Sequence, residues 1–237
     1  MKFLIAILLA LFPLRAADLL VAAASDLAPL SDALQKAFTA QHVTFSLASS
    51  GSLKQQIENG GPFDVFLSAN DQYVKDLAGS GHVDPSTVIV YATGRLALWS
   101  RDGSVKSLDD LKSPRVKHLA IPNPEHAPYG VAAKQALENR GLWKPVEPKI
   151  VYGENVRQAL QFAESGNADA VITSWTLLKG RGILLPDAWH APIRQSGAVV
   201  KLSTQPAAAR EFLKFLESKE GRKILESGGL TPVSDRR

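Results

Sequence analysis

Cysteine is absent from all 237 residues. That excludes a disulfide framework, a thiolate metal site, a cysteine nucleophile and a lipid anchored on a cysteine. Long apolar runs are absent too: the longest, Phe3 to Leu14, is too short to span a bilayer. The signatures of several chemistries are also missing. There is no G-x-x-x-x-G-K-[ST] or G-x-G-x-x-G for a nucleotide, no H-E-x-x-H or H-x-H for a metal, and no G-x-S-x-G elbow, since Ala48 stands two before Ser50. The histidines His42, His82, His118, His126 and His190 are dispersed, and Lys and Arg are scattered without interleaved aromatics, which argues against nucleic acid.

What is present begins with an export signal. One Lys, the apolar run and then Ala16 and Ala17 have the layout of a secretory signal peptide over residues 1–16. Removing Lys2 and Arg15 lowers the formal charge from +4 to +2. The remainder is expected to be a freely diffusing periplasmic protein. With 45% of its residues hydrophobic, it has ample material for a core.

Short apolar runs alternate with amphipathic stretches, the pattern of an α/β protein with mostly parallel strands. Strands are expected at Asp18–Ala24, Val43–Leu47, Phe63–Ser68, from Arg95, from Val116, at Lys149–Tyr152, at Ala168–Thr173 and from Ala198. Helices are expected from Ser25, at Leu53–Glu58, Tyr129–Leu137 and Val156–Ala163, and over Pro206–Glu226.

Four strand-to-helix junctions carry small or polar residues: Ala24-Ser25-Asp26, Ser49-Ser50-Gly51, Ala127-Pro128-Tyr129-Gly130 and Gly153-Glu154-Asn155-Val156. In open α/β sheets ligands sit beyond the carboxyl ends of the strands. Helix starts there offer unpaired N–H groups and the positive end of the helix dipole. Converging, the four junctions would bind an anion without Lys or Arg. Ser25 and Ser50 fit both a helix cap and an anion donor, and the glycine after Ser50 is expected to leave the backbone N–H groups unobstructed. Glu125 and Glu154 would repel an anion and are expected outside the site. A serine nucleophile lacks a recognisable base.

These motifs, taken in order, resemble the periplasmic molybdate-binding proteins of ABC transporters. The resemblance is carried by AAAS ending at Ser25, ASSG ending at Gly51 with LKQQI after it, GGPFDVFLSA from Gly60, PEHAPYG from Pro124, GENVR from Gly153, FLKFLESK from Phe212 and GLTP from Gly229. It implies a two-lobed type II periplasmic binding-protein fold, each lobe a mostly parallel sheet flanked by helices, joined by crossover strands. Lobe 1 would hold residues 17–93 and 197–237, and lobe 2 residues 94–196. It also implies binding of molybdate or tungstate through hydroxyl and N–H of Ser25 and Ser50, the backbone at Tyr129 and the N–H of Val156. A fifth donor aligns with Thr173, with Ser174 and the Tyr129 hydroxyl as alternatives. The expected protein is a monomer without cofactor, without direct protein ligands to the metal atom and without enzymatic activity, working with an inner-membrane ABC permease. A receptor for sulfate, thiosulfate or another oxyanion is the alternative within the same class; a periplasmic serine hydrolase is the alternative outside it. A site made only of donors gives no reward for a proton on the ligand, which would disfavour phosphate, and donors on rigid helix ends cannot follow the smaller sulfate.

Overall fold

The structure, a computed structural model, describes residues 18–178 and 180–233. The expected signal peptide lies outside them. The strands are β1 (Leu19–Ala24), β2 (Val43–Ala48), β3 (Val65–Ser68), β4 (Ile89–Gly94), β5 (Leu96–Ser100), β6 (Leu119–Pro122), β7 (Ile150–Gly153), β8 (Ala170–Ser174), β9 (Ile183–Leu184), β10 (Ile193–Val199) and β11 (Thr231–Pro232). The helices are α1 (Ser31–Ala37), α2 (Ser50–Glu58), α3 (Asp71–Gly79), α4 (Pro128–Asn139), α5 (Trp143–Val146), α6 (Val156–Ser165), α7 (Trp175–Leu178), α8 (Pro206–Glu217) and α9 (Lys219–Ser227).

Alternate residues of the central strands enter different cores, which is why these strands read as unbroken apolar runs. In β1, Leu19, Val21 and Ala23 pack with Phe212 and Leu216 of α8, whereas Ala22 packs with Leu53 of α2 and Val74 of α3. In the other sheet Leu119 and Ile121 of β6 face Ala133 and Leu137 of α4, and Ala120 faces Ala159 and Ala163 of α6. Each sheet is therefore sandwiched between helices.

The two sheets run in the orders β11-β4-β10-β3-β1-β2 and β7-β6-β8-β5-β9. Their parallel portions are β3-β1-β2 and β7-β6-β8, as expected. Both sheets are mixed, with most strands running one way. β10 pairs antiparallel with β3 and β4, and β5 antiparallel with β8 and β9, because the chain changes lobes through these strands. The outward crossing is a single residue, Arg95, between β4 and β5; the return enters β10 at Ile193, opposite Gly94. The lobe boundaries read from sequence, 93/94 and 196/197, fall within β4 and β10. By pairing, residues 193–196 go with the first sheet.

Local signals account for the helix ends that matter below. Asn155 caps α6 by accepting from the N–H groups of Arg157 and Gln158, and Gly166 closes it at φ 82°. Pro128 opens α4, where its missing N–H costs nothing. The segment expected as one helix over Pro206–Glu226 is broken at Ser218, whose hydroxyl accepts from Gly221 N to start α9. The helix expected from Ser25 is a 3-10 turn over Ser25–Leu30 containing Pro29, followed by α1.

Candidate functional site

The four junctions do converge. Residues 24–26, 48–50, 127–129 and 155–156, with Ala69, line one cavity between the lobes. About 10 Å³ is open to the centre of a water-sized sphere. Adding that sphere's own radius of about 1.4 Å gives a hollow roughly 2.7 Å in radius. This suits one small polyatomic ion and excludes a sugar, an amino acid or a peptide.

The donors are products of helix geometry. The N–H groups of Ser50, Tyr129 and Val156 lie in the first turns of α2, α4 and α6, where no carbonyl of the same helix can reach them. Among the described residues no other acceptor takes them. Ser50 Oγ accepts from Ala69 N at 3.0 Å, which leaves its proton free to donate. Ser25 is buried, and its hydroxyl makes no hydrogen bond to the described residues.

Two sequence expectations change here. The cap of α2 is Ser49, which accepts from Ser52 N at 3.3 Å, so Ser50 is the first helical residue and no cap; Ser25 likewise starts its 3-10 turn without capping it. Thr173 does not line the cavity. It is fully buried, and its hydroxyl donates to Val156 O at 3.0 Å, holding the start of α6 in place. The alternatives are also committed elsewhere: Ser174 Oγ bonds the Thr176 hydroxyl at 2.8 Å, and the Tyr129 hydroxyl donates to Asp26 Oδ2 at 2.9 Å.

Asp26 is the residue that sequence reasoning passed over. It stands in the first junction, Ala24-Ser25-Asp26, yet an acid in a first helical turn ordinarily just complements the dipole. In the fold it is 1% exposed and lines the cavity. Oδ2 accepts from Tyr129 and from Gln195 Nε2 at 2.7 Å, while Oδ1 has no partner among the described residues. Tyr91 donates to Gln195 Oε1 at 3.3 Å, turning the amide's N–H end towards Asp26. Burial pushes the carboxyl up from 3.8 to about 7, because the hydrogen bonds from Tyr129 and Gln195 do not replace lost hydration. The site is therefore not made of donors alone, and the reason given above for disfavouring phosphate no longer holds.

Further contacts join the lobes around the cavity. Thr176 Oγ1 donates to Asp26 O at 2.7 Å, and Gly51 N donates to His126 O at 2.9 Å. The Gly51 N–H is thus spent between lobes and does not face the ligand. A Cβ at Gly51 would lie 2.7 Å from that carbonyl oxygen, so only glycine allows this approach. His126 Nδ1 lies 3.0 Å from Ser49 Oγ, and its Nε2 lies 3.5 Å from Glu154 Oε2. Ser49, His126 and Glu154 follow the order of a catalytic triad. Ser49 Oγ, however, caps α2 and bonds Ser52 Oγ at 2.7 Å, and the adjoining cavity has no room for an acyl substrate. Among the described residues no cluster of three or more His, Asp or Glu could hold a metal ion.

The raised carboxyl makes stability depend on pH. Between 3.8 and about 7 the folded protein keeps a proton that the unfolded chain has released, so stability falls as pH rises through that window. The full loss is on the order of 4 kcal/mol. Asp26→Asn keeps an acceptor for Tyr129 and cannot ionise. Its melting temperature relative to the parent should therefore rise from pH 5 to pH 8; a difference that is the same at both pH values would refute the assignment.

Comparison with known proteins agrees with this geometry. The family model described as bacterial extracellular solute-binding protein matches residues 19–231. Two relatives named molybdate-binding protein ModA are similar over nearly the whole chain. The one from Azotobacter vinelandii is 34% identical, covering 91% of this chain and 90% of its own; that from Rhodobacter capsulatus is 31% identical, covering 92% and 89%. The solved periplasmic molybdate-binding protein of Azotobacter vinelandii superposes with a TM-score of 0.85 at 29% identity, over 92% of this chain and 100% of that one. The chain belongs to the family of bacterial extracellular solute-binding proteins that includes the molybdate-binding proteins.

Proposed function

We propose that this protein is the periplasmic substrate-binding component of an ABC importer and carries molybdate, with tungstate as an equivalent ligand. The observation that carries the reading is the small cavity between the lobes at which three helix starts and two serines converge. The names of the relatives support molybdate as the anion. Ser25 and Ser50 donate hydroxyl protons to the oxygens of the anion, and the N–H groups of Ser50, Tyr129 and Val156 complete the set. These groups meet the oxygens and not the metal atom. Thr173 acts through Val156, whose carbonyl it anchors.

Each hydrogen bond to a charged group contributes roughly 1.5–3 kcal/mol. Five such bonds support affinity near or below micromolar after ordering costs. Because the lining comes from both lobes, separating them widens the way in for the anion. Its binding then favours the closed form that the membrane permease engages. No bond of the ligand is made or broken. Export follows from the signal peptide over residues 1–16, whose removal leaves a freely diffusing protein.

The serine hydrolase reading draws on one observation, the Ser49–His126–Glu154 geometry. A serine-directed fluorophosphonate probe tests it, and labelling of Ser49 would favour it over transport.

Three outcomes check the transport reading. In thermal-shift titrations molybdate and tungstate should raise the melting temperature strongly, and sulfate at equal concentration should not; equal shifts from sulfate would reassign the ligand. Ser50→Ala should weaken molybdate binding roughly 10- to 100-fold in calorimetry while the protein stays folded, whereas unchanged affinity would leave Ser50 only as a support for Ala69. Gly51→Ala should also weaken binding by blocking the approach of the lobes at His126. Wild-type affinity in that variant would show that the contact is not part of closure.

A further inference from the structure

We propose that Asp26 is a direct donor to the bound oxyanion, and that the protein takes up one proton on Asp26 Oδ1 as the anion enters. This rests on the reading of the cavity as an oxyanion site. The geometry supplies the argument. Tyr129 and Gln195 both donate to Oδ2, which fixes the carboxyl group by one oxygen and leaves Oδ1 buried and unpartnered in a residue that lines the cavity. An ionised Oδ1 could only repel a doubly charged anion in this closed space. A protonated Oδ1 becomes a donor, and the carboxyl then matches the neighbouring hydroxyls and N–H groups in function.

Among the described residues no cation pairs with Asp26. The titratable groups facing it are the hydroxyls of Tyr129 and Tyr91, both buried and both held above their ordinary range chiefly by burial, with the Asp26 charge adding to it. β1 and β2 carry no charged residue, and α7 carries none. On the other elements packed around the turn, Asp32 and Lys36 of α1, Arg157 and Glu164 of α6, Glu138 of α4 and Arg194 of β10 are exposed, and Lys134 of α4 pairs with Glu138 at 3.9 Å. Because burial already holds the Asp26 carboxyl near 7, the proton is available at neutral pH.

The step is balanced simply. A proton leaves solvent, the Asp26 carboxylate becomes a carboxyl, and the anion keeps all its bonds. Affinity for a fully deprotonated anion is then highest below about pH 7 and falls above it, becoming about tenfold weaker from pH 6 to pH 8.

The test is titration calorimetry with sodium molybdate at pH 6 and pH 8, each in two buffers of different ionisation enthalpy. Uptake of close to one proton is expected at pH 8, with little at pH 6. Asp26→Asn, whose amide donates without titrating, should bind with no proton uptake and a flat pH dependence. His126→Gln should keep the slope, which separates Asp26 from the neighbouring imidazole that contacts Ser49. If Asp26→Asn does not fold, anion-induced difference infrared spectra of the parent at pH 8 decide the question by the appearance of a protonated carboxyl band. Binding without proton uptake at pH 8, or uptake that survives in Asp26→Asn, would overturn the proposal. Absence of molybdate binding at every pH would overturn the anion reading itself.

Discussion

An anion taken out of water without a counter-cation must have its oxygens met by fixed donors, and that requirement organises the structure. Hydroxyls on flexible loops would have to be ordered at each binding event. Backbone N–H groups at helix starts are ordered already, and nothing within the helix competes for them. The fold brings α2, α4 and α6 to one point by setting each at the carboxyl end of a parallel strand. The two apolar cores on either face of each sheet keep those strands from moving.

The same requirement explains why the lobes meet through neutral hydrogen bonds around the cavity. Asp26 O receives the Thr176 hydroxyl and Asp26 Oδ2 receives the Tyr129 hydroxyl, so two second-lobe elements end on one first-lobe residue. Gln195, on the returning crossover strand and paired into the first sheet, donates to the same Oδ2. A Cβ at Gly94, on the outgoing strand, would overlap the Tyr129 hydroxyl. The crossover strands and the ligand cavity thus share one hydrogen-bonded cluster. A change in the charge of Asp26 acts at the anion and at the joint between lobes together.

Much of this was legible in the chain because it rests on local chemistry. The apolar runs of β1, β3, β6 and β8 announce strands buried on both faces, and the small residues at 24–26, 48–50 and 127–130 announce close approach. Other features depend on distant partners and leave no local mark. The strand β4 and helix α3 were not read, since Ile89–Gly94 and Asp71–Gly79 gain their meaning from pairing with β10 and packing on β3. Ser49 and Ser50 are adjacent serines, and only the helix phase decides which caps and which faces the cavity. Thr173 sits at the right strand end for a donor, but the carbonyl of Val156 reaches it first. Asp26 carries no local mark that separates it from any acid in a first helical turn. Its distinguishing features, the Gln195 and Tyr129 donors, come from residues 169 and 103 positions away.

Asp26 also alters how the site separates one oxyanion from another. A donor-only cavity would reject any ligand that brings its own proton, so protonated phosphate would be excluded by chemistry. With Asp26 ionised, a monoprotonated phosphate could donate to Oδ1 and bind without proton uptake; with Asp26 protonated, that proton would face another donor. The two classes of anion therefore respond oppositely to the same carboxyl. Lower pH favours a fully deprotonated ion such as molybdate and removes the acceptor that a monoprotonated ion needs. Discrimination between molybdate and sulfate, which are both fully deprotonated, cannot come from Asp26 and falls to the fit between cavity radius and ion. One residue thus sorts ligands by their protons, while the rigid helix ends around it sort them by size.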